Sequence, residues 1–149
     1  MGYDGGMTKR NLYLFSLAVM SYFIVDVLYN VLVGMKIDAY YYEKSGIIDI
    51  YALSPQAPVL FVLFFIIIGL ANVVLVIQPS ISVRSVSRAL SHGFLLGVTA
   101  YGTFALPCAW SIKNYPLMLA FIHIVGGGVF SMVASGLTTY LDLRRNVIT

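Results

Sequence analysis

Between Pro58 and Ile77 the chain carries no charged residue, and its centre reads Val59-Leu60-Phe61-Val62-Leu63-Phe64-Phe65-Ile66-Ile67-Ile68. As a helix, a run of this kind crosses a bilayer, which takes about 20 residues. Three more stretches have the same reach: about 12–34, about 90–106 and about 117–141. None shows the period-two alternation of a barrel strand, and an open sheet leaves backbone groups unpaired in lipid. The spans are therefore read as helices. The chain is read as one all-α integral membrane domain over residues 1–149, a four-transmembrane-helix bundle.

Composition points the same way. Hydrophobic residues make up 60% of the chain and charged residues 10%, against about 25% charged in ordinary soluble domains. That balance excludes a disordered chain and a nucleic-acid-binding domain, and it argues against a soluble globular enzyme. Cys108 is the one cysteine, so there is no internal disulfide and no thiolate set for zinc or an iron–sulfur cluster.

Proline punctuates the spans. Pro55 and Pro58 precede the second, where a helix start tolerates them. Gln78-Pro79-Ser80 is expected to end that span, Pro107 to end the third, and Tyr115-Pro116 to open the fourth. Trp110, Tyr115, Tyr140 and Tyr40-Tyr41-Tyr42 fall at or just outside span ends, the place of interfacial aromatic belts. The first apolar run is too long for the core of a secretory signal and no small-residue cleavage site follows it, so it is read as its own insertion signal. The first link, Lys36 to Ala57, is the longest. Ile47, Ile48, Ile50 and Tyr51 give it an apolar side, and Asp38, Glu43, Lys44 and Asp49 a polar one. It is read as a short interfacial segment between helices 1 and 2, with a plain linker at the head groups as the alternative.

An even number of spans puts both termini on one side. That side carries Lys9, Arg10, Arg84, Arg88, Arg144 and Arg145, against Lys36, Lys44 and Lys113 on the other. The positive-inside rule then places both termini in the cytoplasm, or in the matrix of a mitochondrion. The six basic residues are read as topology determinants that also meet anionic lipid head groups.

Small residues mark where helices approach closely, because lipid supplies no hydrophobic force between them. Gly93 and Gly97 lie four apart in the third span, and Gly127, Ser131 and Ser135 recur every four residues in the fourth. These two spans are expected to pack tightly together. Gly126-Gly127-Gly128 has no adjacent Lys and is read as packing rather than a phosphate cradle.

Ionisable groups at membrane depth are functional candidates because placing them there is costly. Asp26 lies eight residues from the Gly34 end of span one, and His123 lies six from the Leu117 end of span four. At about 1.5 Å per residue both sit roughly 10 Å deep. Tyr101 and Asn30 fall near the same layer, so an Asp26–His123 hydrogen bond or ion pair is expected to be within reach, either as a proton- or ligand-handling site or as a structural bond. His92 lies toward the basic end, away from His123, which argues against a haem between them. No catalytic or metal motif appears. No metal and no cofactor is called for, bound phospholipid apart.

Several strings carry a family resemblance: Phe23-Ile24-Val25-Asp26-Val27-Leu28, Gly97-Val98-Thr99-Ala100-Tyr101-Gly102-Thr103 and Tyr115-Pro116-Leu117, with Tyr42-Glu43-Lys44 and Pro79 in support. From about Leu12 to Tyr140 the chain resembles a family of small bacterial four-span membrane proteins catalogued as domain of unknown function 2177. The resemblance implies three intramembrane Asp positions. Asp26 keeps the first, while Ala105 and His123 occupy the second and third. Cys108 stands at the family's Asn and Gly126 at its Trp. The resemblance implies a fold more than an activity.

The residues together predict a non-catalytic multi-pass subunit, an accessory or structural component of a larger inner-membrane complex, mitochondrial and respiratory if the host is a eukaryote. Its partners would be lipids and other membrane subunits, and not nucleic acid. The alternative is a small proton- or solute-linked transporter or channel using Asp26 and His123, with a lipid-handling enzyme as a third reading.

Overall fold

The computed structural model describes residues 9–46 and 56–148. Four helices cross it: α1 over Lys9–Ser45, α2 over Pro58–Ser82, α3 over Val86–Ser111 and α4 over Leu117–Ile148. Their direction alternates along the chain. Gln78 Nε2 donates to Asn11 Oδ1 at 3.1 Å, tying the end of α2 to the start of α1. At the opposite end the Tyr42 ring of α1 meets Tyr115, just ahead of α4, at 6.1 Å. The start of α1, the α2–α3 link and the end of α4 share one end, hereafter the basic end. Exposed Lys9, Arg10, Arg84, Arg88, Arg144 and Arg145 stand there.

The bundle is apolar outside and polar within. Val59, Leu60, Phe61, Val62, Leu63 and Ile67 of α2 are all exposed, which hydrocarbon accommodates without cost. Asn72, Ser80, Ser131, Ser135, Thr138 and Thr139 are fully buried. Buried apolar residues cluster in two patches, Leu14, Ala18, Val73 and Ile77 toward the basic end and Tyr22, Phe65, Ile68 and Ala134 at mid-height, with Leu119, Ala120 and Phe130 buried besides. The closest helix pair is α3 with α4. Gly93 lies against Ser131 and Ser135, Gly97 against the Gly127 carbonyl, and Gly127 under the Tyr101 ring.

Three helix ends differ from expectation. The first helix does not stop at Gly34. It passes through a π turn at Asn30–Gly34, where the Met35 N–H reaches back to the Asn30 carbonyl. It then continues to Ser45, where Gly46 takes a left-handed φ of 67° and caps it. Lys36 to Ser45 is thus helix rather than linker. Over 37 residues α1 is about 55 Å long, well beyond a hydrocarbon core of about 30 Å. Ile47, Ile48, Asp49, Ile50 and Tyr51 of the expected interfacial segment lie outside the described residues.

Pro79 does not end α2. A second π turn, Val73–Ile77, directly precedes it, and the Gln78 N–H bonds to the Val73 carbonyl. The widened turn admits the ring without breaking the helix. Nor does Pro107 end α3, which runs on to Ser111. Pro107 is exposed on the helix surface and lies one turn from the end, so its ring meets no neighbouring helix and little of the hydrogen-bond ladder is lost.

The α2–α3 link is a tight reversal. Arg84 adopts φ 52°, the Ser85 N–H reaches the Ser80 carbonyl at 3.0 Å, and Ser85 Oγ caps α3 by accepting from the Arg88 N–H at 3.1 Å.

Candidate functional site

The polar residues form a column that follows α4 through the bundle. At the end remote from the basic residues, His123 Nε2 lies 3.0 Å from Asp38 Oδ1. Asp26 is therefore not the partner of His123. The reason is the helix end: depth measured from Gly34 leaves out the last three turns of α1, and those turns carry Asp38 over His123. Asp38 is 12 residues beyond Asp26, about 18 Å further along the helix. Beside this pair lies Tyr115, whose hydroxyl is pushed above its ordinary range by burial first and then by its hydrogen bond with Tyr42.

The next level holds Asp26, Asn30 and Tyr101. Asn30 Nδ2 donates to the Asp26 carbonyl at 3.0 Å. The Tyr101 ring stands on Gly127 and faces Phe130 at 6.2 Å, while Tyr29 meets Phe130 from the other side at 4.7 Å. Of the four residues assigned to one layer by sequence, Asn30 bonds back to the Asp26 carbonyl one turn before it, and His123 pairs with Asp38 instead.

Below them the column is fully buried. Tyr22 donates its hydroxyl proton to Ser131 Oγ, a bond between α1 and α4. The Ser135 hydroxyl is placed to donate to Asn72 Oδ1 at 2.7 Å, between α4 and α2, and to the Ser131 carbonyl at 2.6 Å. Thr138 and Thr139 follow, and Asp142 closes the column. Its carboxylate is 3% exposed and accepts from Arg10 at 2.8 Å, while the Arg10 side chain is 53% exposed. Arg145 lies over the Tyr13 ring at 4.7 Å.

Ser131, Ser135, Thr138, Thr139 and Asp142 follow the spacing i, i+4, i+7, i+8, i+11, so one face of α4 presents all of them inward. Each interhelical bond is worth only about 0.6 kcal/mol in membranes, but together they fix which face each helix turns to α4. Chemically the column holds titratable groups (Asp142, Asp26, His123 with Asp38) among hydroxyls and an amide, side chains that can donate and accept protons in hydrogen bonds.

Gly93, Gly97, Gly127, Ser131 and Ser135, singled out for packing, meet at the α3–α4 contact. Ser131 and Ser135 also bond to α1 and α2, a second role that small-residue counting does not reveal. Sequence reasoning missed Tyr22, Asn72, Ser80, Thr138, Thr139 and Asp142. The inward spacing along α4 was the available signal. His92 is exposed on α3 beside Leu75, Val76, Leu95, Leu96 and Thr99, and Cys108 is half-buried.

No match is found among curated proteins or among solved structures. A family model described as a predicted membrane protein, DUF2177, matches residues 11–140. The match takes in the second and third spans whole and most of the first and fourth, both π turns, the Asp38–His123 pair and most of the buried column, and stops two residues short of Asp142. The chain thus belongs to the DUF2177 family of predicted membrane proteins.

Proposed function

We propose that this integral multi-pass membrane protein is a small, non-enzymatic, proton-linked carrier or channel in which Asp26 is the titrating group at mid-membrane. One observation carries the reading: polar and ionisable side chains occupy the bundle interior from the Arg10–Asp142 pair to the Asp38–His123 pair, where a purely structural bundle has apolar residues available at every position. Ionisable residues kept inside a bundle are characteristic of proton and ion pathways. The basic end faces the cytoplasm or matrix under the positive-inside rule.

The test is reconstitution in proteoliposomes containing a pH-sensitive dye. The parent protein dissipates an imposed pH gradient faster than empty vesicles, and Asp26→Asn inserts and folds normally but loses that excess flux, because an amide does not exchange a proton near neutral pH. Parent vesicles that hold the gradient as empty ones do would reject the reading.

A second reading, an accessory subunit of an inner-membrane complex, is favoured by the part of α1 beyond the π turn. It carries Met35 and Tyr40 more than half exposed, a surface suited to another membrane subunit. Purification from native membranes in mild detergent separates the two readings, since a subunit co-migrates with stoichiometric partners and a carrier migrates alone.

A further inference from the structure

Among the described residues, four buried polar atoms make no hydrogen bond to protein: Asn72 Nδ2, Ser80 Oγ, Thr138 Oγ1 and Thr139 Oγ1. All four residues are 0% exposed. Helix register places them together. From α2 to α4 the Ser135–Asn72 bond fixes the level, and both helices run toward the basic end. From that level Thr138 and Thr139 lie about 5 Å along α4, Asp142 about 10 Å, and Ser80 about 12 Å along α2. The unpaired atoms therefore lie along a slot of about 12 Å that starts at the Asn72–Ser135 bond and reaches the level of the Arg10–Asp142 ion pair, where Ser80 stands. The π turn Val73–Ile77 forms its α2 wall, and a π turn loosens the regular carbonyl ladder.

We propose that this slot is a binding site for water, with one or more molecules bridging Asn72 Nδ2, Thr138, Thr139 and Ser80. The chemistry selects water over an ion. Ser135 occupies Asn72 Oδ1, so the amide turns its N–H groups into the slot, and the Arg10 guanidinium stands at its basic end. Both disfavour a cation. The Asp142 carboxylate disfavours an anion. Hydroxyls both donate and accept, as water does, and buried polar groups left without protein partners are the usual hosts of internal water. As part of a proton route this inference rests on the proposed function. The occupied slot links the Asn72–Ser135 pair to Asp142 and extends the route toward the basic end.

Water-edited solid-state NMR tests it on the full chain in deuterated phospholipid bilayers, with flux recorded on the same preparation. Water-to-protein transfer to Asn72, Thr138 and Thr139 is expected to build up at a rate within about twofold of exposed Ser87. It should run several times faster than at equally buried Leu119. Thr138→Val with Thr139→Val keeps the shape and removes both hydroxyls, and transfer to the Asn72 amide is expected to fall at least threefold. Transfer to the parent's Asn72, Thr138 and Thr139 as slow as at Leu119 would overturn the site, as would unchanged transfer to Asn72 in the folded double variant. Should the double variant not fold, the parent rates alone decide. Hydration without flux sustains the site and rejects the proton-linked reading. Flux through a dry slot overturns the site alone.

Discussion

Arg10 and Asp142 show how one residue position changes its meaning with the partner across the bundle. Asp142 is buried to 3% and its partner is half in solvent, so the carboxylate bears most of the burial cost and the guanidinium offsets it. Arg10→Met takes the guanidinium away from that buried charge and is expected to destabilise the protein by about 1–3 kcal/mol, read from reversible unfolding in mixed micelles. Arg10→Met with Asp142→Leu removes the buried charge as well and is expected to recover most of the loss. If the double variant is the less stable of the two, the ion pair is not what the single variant breaks. Asp142 was hard to see in the sequence for a simple reason. Hydropathy ends the fourth span near Leu141, and a carboxylate one residue further reads as surface. Asp38 was hidden in the same way, four residues past the apparent end of the first span. Asp26 was legible because it interrupts an apolar run from within.

Among elements, the α3–α4 contact depends on hydrogen atoms where side chains would otherwise stand. A Cβ on Gly97 would strike the Gly127 carbonyl and Ser131, whereas one on Gly102, a turn and a half along the same helix, would meet nothing within 4 Å. Gly97→Ala is therefore expected to cost about 1–3 kcal/mol through overpacking. Gly102→Ala is expected to be neutral or to stabilise by up to about 1 kcal/mol, through helix propensity. Equal melting shifts for the two would refute this account of the contact. Gly93-x-x-x-Gly97 and Gly127-x-x-x-Ser131-x-x-x-Ser135 made this pairing readable beforehand, since small residues at helical spacing have few other uses in lipid. Helix ends were less readable. Pro79 and Pro107 are strong stop signals in water, but in α2 a π turn absorbs the first, and the second lies on an open face of α3.

For the molecule as a whole, the existence of four helices followed from hydropathy because lipid permits so few alternatives. How those helices turn about their own axes did not, since that is decided by interior bonds such as Tyr22–Ser131 and Asn72–Ser135. The alternating bundle makes a prediction at this scale. In a Cys108→Ser background, a cysteine at exposed Glu43 and one at exposed Arg145 should react with an impermeant thiol reagent from opposite sides of the membrane. Labelling from the same side would reject the arrangement. The π turn in α1 has a consequence of its own. Relative to a regular helix it holds one surplus residue, and each residue turns an α-helix by about 100°. Shorten Val31-Leu32-Val33 by one, and the turn closes to a regular α turn with Asp38 still over His123 and Tyr42 still facing Tyr115. Lengthen it by one, and everything beyond swings around the axis by over a quarter circle. Those three side chains are 65%, 64% and 44% exposed, so what this stretch contributes is a count: it works as a slack link, blind to the identity of its side chains, that tolerates the loss of a residue and not the gain of one.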